Sequence, residues 1–339
     1  MTQAQPADEQ FTPGGDDDAV RRRIRHLVAV SERDPLAPFA LRPEKSYVFS
    51  PDGDAAVGYR VKVGTAVASG DPVGNAESWA AAIGEFIAEA KRRKLRVAVL
   101  GAGERARPLW EIYGFGHLAI GRDVVLHRSE FSLQGRHFRN LRQAIQRSRN
   151  FGVNVELHRE GDLRAEQVVE LRSLIKGAQR EDTRGFSMIL GRMFDGTEPD
   201  AVMAVARDKD GSIVGAHRYL WAGKQDLSLD LPMRAPNAPN GVDERLIAEV
   251  MDWGATLGVE RVSLAFAPFP DLFANRGHLG VLGKVGYGLA HLLDPLIKVE
   301  RLYRYLRKFH AFDQERYVLL RWRNLFRVIA ALLLLEFGH

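Results

Sequence analysis

The chain has 339 residues, 45% hydrophobic and 27% charged, with a formal net charge of +5. That length exceeds what one compact core usually spans, so two domains are expected, in a protein of ordinary globular composition. The chain contains no cysteine, which excludes disulfides and Cys-type zinc sites.

Residues 1–18 are polar, acidic and Gly/Pro-containing, and disorder is expected there. They hold no apolar h-region, so no secretory signal is visible and a cytosolic protein is expected. Val20, Ile24, Leu27 and Val28 recur at helical spacing and predict a helix over 19–32. Strands are expected at 46–50, 58–63 and 65–69, then a turn at Gly70–Gly74. Residues 76–94 place Trp79, Ile83, Phe86, Ile87 and Ala90 on one stripe of a helix. A strand at 95–100, a helix at 103–113 closed by Gly114, and a strand at 117–126 complete this part.

A helix at 134–150 then opens a second round: strand 153–158, helix 166–176, strands 201–208, 213–222 and 226–231, helix 242–257, strand 261–265. The recurring order predicts two similar α/β units, 19–135 and 136–320, with no accompanying sequence repeat. Residues 321–339 are expected to end the chain as a helix whose apolar face is Leu325, Val328, Ile329, Leu332 and Leu333. Its apolar run is shorter than the roughly 20 residues that span a bilayer. Docking on a domain is favoured over lying in a membrane interface with Arg321, Arg323 and Arg327 at the headgroups.

Charge is unevenly placed. Residues 134–149 carry Arg136, Arg139, Arg142, Arg147 and Arg149 without an acid, and residues 298–327 hold nine Lys/Arg against three acids. Two such patches suit an anionic partner, RNA or lipid headgroups; solvated helix faces are the plainer reading.

Generic motifs are few. Gly101-Ala102-Gly103 lacks the Lys-Ser/Thr of a phosphate loop and reads as a turn. There is no HExxH and no GxSxG elbow. The informative stretch is 226–261. Strand alternation puts Asp226, Ser228 and Asp230 on one face, and a proline-broken loop ends in Pro239-Asn240-Gly241 before a helix. A strand ending beside a helix N-terminus can hold a carbonyl oxygen or a phosphate, and nearby carboxylates can orient an amine or hydroxyl. Against this stand an Asp230 that merely pairs with Arg234 or caps a turn, and an Asn240-Gly241 that merely starts a helix.

Several segments together resemble the soluble catalytic region of bacterial phosphatidylglycerol lysyltransferases, the multiple peptide resistance factor family. They are the residues around 67–74, RVAVLGAGERARPLWEIYGFG, 120–148, RGFSMILGR (184–192), SLDLPMRAPNAPNG (228–241) and LYRYLRKFHAFDQERYVLL (302–320), in the family's order. The resemblance implies two acetyltransferase-like (GNAT) units around a shared cleft, and transfer of an amino acid, lysine or another, from aminoacyl-tRNA to a lipid hydroxyl. It implies no cofactor, because the donor ester is already activated. It implies peripheral attachment at the inner face of the membrane, an anionic lipid as acceptor, and a separate flippase as possible partner. The candidate catalytic residues are Asp230, which would orient the acceptor hydroxyl or the donor α-amine, and Arg234. Phe186, Ser187, Arg192, Asp226, Ser228, Asn240, Gly241, Arg304 and Lys308 would bind substrate, and Arg139 and Arg142 nucleic acid or headgroups. Arg234 stands one residue later than in the family's Asp-Leu-x-Arg, and Ala311 and Asp313 replace the Pro and Trp of its end motif. A non-catalytic tRNA- or lipid-binding module is the alternative reading. A CoA-dependent N-acetyltransferase is a lesser one, since the Q/RxxGxG/A loop is missing.

Overall fold

A computed structural model describes residues 17–178, 192–268 and 304–336. In chain order the first half holds α1 (Asp17–Val30), β1 (Ser46–Phe49), β2 (Ala55–Lys62), β3 (Thr65–Ser69), β4 (Val73–Gly74), α2 (Trp79–Arg92), β5 (Arg96–Ala102), α3 (Arg107–Glu111) and β6 (Gly116–His127). The second holds α4 (Arg139–Asn150), β7 (Asn154–Arg159), α5 (Ala165–Ala178), β8 (Val202–Arg207), β9 (Ile213–Ala222), β10 (Asp226–Arg234), α6 (Val242–Gly254), β11 (Arg261–Pro268), β12 (Phe312–Leu320) and α7 (Leu325–Glu336). Of the N-terminal stretch, Asp17 and Asp18 open α1; the rest lies outside the described residues.

The class is α/β, as expected, but the halves share one mixed sheet. Its order is β1-β2-β3-β5-β12-β6-β11-β10-β9-β8-β7, with β4 pairing β2. The pairs β3/β5 and β10/β11 are parallel and the other described pairs antiparallel. At the centre each half donates a strand to the other. β6 follows β5 in the chain yet lies against β11, and β12 lies against β5. The halves therefore join along β6 and β12.

Each half keeps its own core because its long helix presents one apolar stripe. Trp79, Ala82, Ile83, Phe86 and Ala90 of α2 sit over Ala66, Ala68 and Val99, with Trp110 of α3 edge-on to Phe86. Leu246, Ile247, Val250 and Met251 of α6, with Leu141 and Ile145 of α4, cover Val124, Leu227 and Val262. α5 packs on different residues of the second half, including Leu231 and Met233. α1 straps the halves together: Ile24, Leu27 and Val28 meet Ala56 and Val73 of one and Ala201 and Leu220 of the other. The terminal helix docks, with Val328, Ala331 and Leu335 buried against β3, β5 and β12. Leu325 and Leu332 pack beside them, and the Leu333 side chain is outside the described residues.

Candidate functional site

β10 and β11 run in parallel register only from Asp226/Arg261 to Ser228/Ser263. Immediately beyond, each strand shifts register with its other neighbour, β10 between Leu229 and Leu231, β11 between Ser263 and Ala265. Bulges of this kind bend a strand and end pairing, so the two strands part. The bulge also breaks the expected alternation. Leu227 joins the core under α6, whereas Leu231 and Met233 join the one under α5.

Asp230 sits at this fork, 3% exposed. Its carboxylate accepts from Arg218 Nη1 at 2.6 Å, and Arg218 Nε donates to Glu160 Oε2 at 2.6 Å. Burial opposes the charge of Arg218, but Asp230 and Glu160 outweigh it and push its pKa up. The remaining nitrogen, Arg218 Nη2, is buried without an acceptor among the described residues. An orphaned buried donor is rare in native structures and asks for a partner. Asp226 lies at the other end of the parallel stretch, held by Arg261 Nε at 3.0 Å and also by Nη2, and Ser228 is buried between the two aspartates along the strand.

The second element is the start of α6. Gly241 is its N-cap, at φ 96°, ψ 4°. A β-carbon there would lie 1.9 Å from the Ala144 carbonyl oxygen of α4. Only glycine allows α4 to approach this closely with that backbone. Asn240 is exposed beside it. The first turn of α6 carries two carboxylates, each holding a cation. Asp243 Oδ2 accepts from Arg234 Nη1 at 2.9 Å, and Glu244 Oε1 accepts from Lys308 Nζ at 3.0 Å. Arg234 also donates to the Ala238 and Pro239 carbonyls, which fixes the loop. Both cations keep exposed surface.

Behind them runs a buried chain that sequence reasoning missed. His217 Nε2 lies 3.1 Å from Asp243 Oδ1, and His217 Nδ1 lies 3.1 Å from the Tyr219 hydroxyl. Burial works against the ionised Asp243, but the His217 hydrogen bond and the charges of His217 and Arg234 overcome it and hold its pKa below the usual range. Ionised Asp243 accepts from His217 Nε2, and the Tyr219 hydroxyl lies on the other side of the ring. Burial and Asp243 push the Tyr219 phenol well up. The sequence signal was available: His217 and Tyr219 are two apart in a strand and so share a face. Tyr305 completes the group. Its hydroxyl is buried with no hydrogen-bond partner among the described residues, and burial, then Asp243 and Glu244, hold its pKa far above normal.

Other expected residues stand apart. Arg192 pairs with Asp195 at 2.6 Å. Arg142 donates to the Leu133 and Gly135 carbonyls and so pins the loop before α4, while Arg139 and Arg304 are exposed. Phe186 and Ser187 lie outside the described residues. Ala311 and Asp313, at the family's Pro and Trp places, are built in: the Ala311 carbonyl accepts from Val125 N at 2.8 Å, and Asp313 Oδ2 lies 3.3 Å from His127 Nε2. Among the described residues no group of three or more acidic or histidine side chains could hold a metal ion.

The arrangement can therefore offer two anchored cations to phosphate oxygens and a helix N-terminus to a carbonyl. Beside them the Tyr305 hydroxyl, without a partner among the described residues, can meet a further acceptor.

Comparison with known proteins places this geometry. Residues 25–320 match the family model described as phosphatidylglycerol lysyltransferase, C-terminal. An MprF-like domain protein of Mycobacterium tuberculosis is 44% identical over 325 residues, covering 93% of this chain and 66% of that protein. The lysylphosphatidylglycerol biosynthesis bifunctional protein LysX of Rhodococcus jostii is 38% identical, covering 78% of this chain and 24% of its own length. The chain thus spans under two thirds of the first relative and about a quarter of the second. Among solved structures, L-PGS from Bacillus licheniformis superposes with a TM-score of 0.80 at 20% identity, covering 93% of this chain and 96% of that one. The C-terminal domain of a putative lysylphosphatidylglycerol synthetase from Agrobacterium fabrum gives 0.79 at 20%, covering 95% and 99%. At that identity the two structures speak for the fold.

Proposed function

Because this chain belongs to the phosphatidylglycerol lysyltransferase C-terminal family, we propose that it moves an amino acid, lysine or another, from aminoacyl-tRNA to a hydroxyl of phosphatidylglycerol. In this exchange of esters, the lipid oxygen bonds to the aminoacyl carbonyl carbon and the bond to the tRNA ribose breaks. The hydroxyl proton passes, in net, to the ribose oxygen. The atoms balance without nucleotide, metal or redox cofactor. What the site must supply is orientation, charge stabilisation at the carbonyl oxygen and shelter from water.

The observation that carries the reading is the pair of outward-reaching cations, Arg234 and Lys308, each fixed by a carboxylate in the first turn of α6, next to the partnerless Tyr305 hydroxyl. Arg234 and Lys308 would take the phosphates of donor and acceptor. The backbone N–H groups at Asn240 and Gly241, with Tyr305, would hold the carbonyl oxygen. Asp230, set at the fork with Arg218 and Glu160, would orient the acceptor hydroxyl or the donor amine. Arg192, Asp226, Ser228, Phe186 and Ser187 would line the approach, and Arg139, Arg142 and Arg304 would steer RNA or headgroups. The acceptor places the protein at the inner face of a membrane, with a separate flippase to carry the product across.

Purified protein, a panel of charged tRNAs carrying labelled amino acids, and phosphatidylglycerol vesicles test the proposal. Label extracted with the lipid is expected from at least one tRNA. If none transfers, the chain is a binding module.

A further inference from the structure

α7 is apolar on the side it buries and on the side it does not. Val328, Ala331 and Leu335 face the sheet, yet the opposite line at i, i+4 spacing is Phe326, Ala330 and Leu334, with Trp322 in the 3-10 turn just before the helix. Trp322 is 55% exposed, Phe326 85% and Leu334 43%. A surface helix ordinarily turns polar residues outward. The neighbouring loop continues the patch, with Ile112 79% and Tyr113 39% exposed. The two segments are joined. Arg321 Nη2 donates to the Tyr113 carbonyl at 3.1 Å, and the Trp322 indole nitrogen lies 2.3 Å from where a Gly116 β-carbon would be, so the indole packs on that glycine.

Charge selects the occupant. Arg323 and Arg327 are exposed beside the aromatic line, with Arg321 at its edge. The acid nearest in sequence to the loop, Glu111, is engaged by His117 at 2.8 Å. Exposed Trp and Phe flanked by arginines match the region between acyl chains and anionic headgroups. A second protein surface would have to bring its own acids to satisfy the arginines.

We propose that Ile112, Tyr113, Trp322 and Phe326, rimmed by Arg321, Arg323 and Arg327, form the surface by which this protein rests on an anionic bilayer. The inference deepens the reading above, because a lipid acceptor has to be met where it lies. It also explains how α7 can both dock and face lipid: its inner side holds the domain and its outer side meets the interface.

Vesicle flotation tests it, using phosphatidylglycerol–phosphatidylcholine mixtures and phosphatidylcholine alone. Wild type should float with the anionic vesicles, and lipids brominated near the headgroup should quench a fluorescence component absent from Trp322→Phe. The combined variant Ile112→Ser, Trp322→Ser, Phe326→Ser should bind at least about tenfold more weakly. Arg323→Gln and Arg327→Gln, which leave the apolar line intact, should each weaken binding about fivefold at low salt. Aminoacyl transfer to a short-chain phosphatidylglycerol in free solution should be the same in all of them. Transfer by a wild type that does not float overturns the surface and leaves the activity standing. Floating without transfer from any charged tRNA does the reverse. A dimer that dissociates in the serine variant, with no vesicle binding by wild type, would assign the patch to a second copy and overturn the proposal.

Discussion

β3 and β5 run parallel through Ser69 and Leu100, and β10 and β11 through Ser228 and Ser263. Two residues past each of these serines stands an aspartate, Asp71 in the first half and Asp230 in the second, and both are buried near a buried arginine. The two forks then diverge. In the first, Arg316 of β12 binds Asp34 and Asp123, each at 2.7 Å, with Asp71 adding to its field. Asp71 accepts the Gly103 N–H at 2.7 Å, and a β-carbon on Gly103 would sit 2.7 Å from Asp71 Oδ2. The fork is filled by its own chain. In the second, Arg218 faces two carboxylates and keeps a donor unmet among the described residues, in the half that also carries Arg234, Lys308 and the Tyr305 phenol. The same strand geometry buries an arginine among carboxylates in both halves, and what distinguishes them is how completely the arginine's donors are satisfied among the described residues.

The sharpest way to break that contrast is to remove each arginine. Arg316→Met strands three buried carboxylates and Arg218→Met strands two. Taking one partner from a buried ion pair costs about 3–5 kcal/mol. Urea unfolding at neutral pH should show both losses, the larger for Arg316→Met, and that loss should shrink in acid as the stranded carboxylates protonate. Losses below about 1 kcal/mol would mean that neither fork depends on its charge.

Asp230→Asn comes next. If Asp230 orients a reacting group, transfer should fall about 10²–10⁴-fold. Because the carboxylate also holds Arg218, stability should drop too, by about 1–3 kcal/mol. The informative comparison is with Glu160→Gln, which loosens the same arginine from its other side. Equal rate losses in the two variants would give Asp230 a structural role; a much greater loss for Asp230→Asn supports the positioning role.

These tests reach residues that the sequence leaves hidden. The β10–loop–α6 segment was legible because its signals are local: alternation in the strand, prolines in the loop, Gly241 at the cap. The bulge at Asp230 was not, since nothing in the DLSLDL alternation announces an extra residue, and the rule that aligned Asp226, Ser228 and Asp230 fails there. Arg218 meets Glu160 from 58 positions away and Arg316 meets Asp123 from 193. No window of sequence contains such pairs. β12 went unread for a related reason. It lies in a segment that counts as basic surface, yet one of those charges, Arg316, is a core residue.

Glycines at the two forks give a graded comparison. Gly241→Ala must accept φ 96° and a clash with the Ala144 backbone, so a loss of about 2–3 kcal/mol is expected, with transfer reduced as α4 and α6 separate. Gly70, at φ 73°, would meet only Leu36 Cβ at 3.5 Å. Its replacement by Ala should cost only about 1 kcal/mol, the strain of the left-handed backbone alone. Thermal melts of the two variants suffice, and equal shifts would show that α4 yields easily to a side chain at Gly241.

The smallest effect has the opposite sign and a pH signature. Burial, then the neighbouring charge of Asp34, pushes the Asp71 pKa up to about 7, Arg316 compensating only in part. An unfolded aspartate titrates near about 3.9. Between those values the folded chain binds more protons than the unfolded one, so stability falls as pH rises through the interval. The favourable contribution is complete below about pH 4 and gone above about pH 7. Asp71→Asn removes the titration while its amide oxygen can still accept the Gly103 N–H. The variant should match wild type near pH 4 and exceed it at pH 8, with the gap opening between those values, measured by urea unfolding across that range. With a proton kept at Asp71, Arg316 faces two ionised acids, Asp34 and Asp123, in place of three. A flat difference between the two proteins from pH 4 to 8 would instead mean that Arg316 alone balances the cluster.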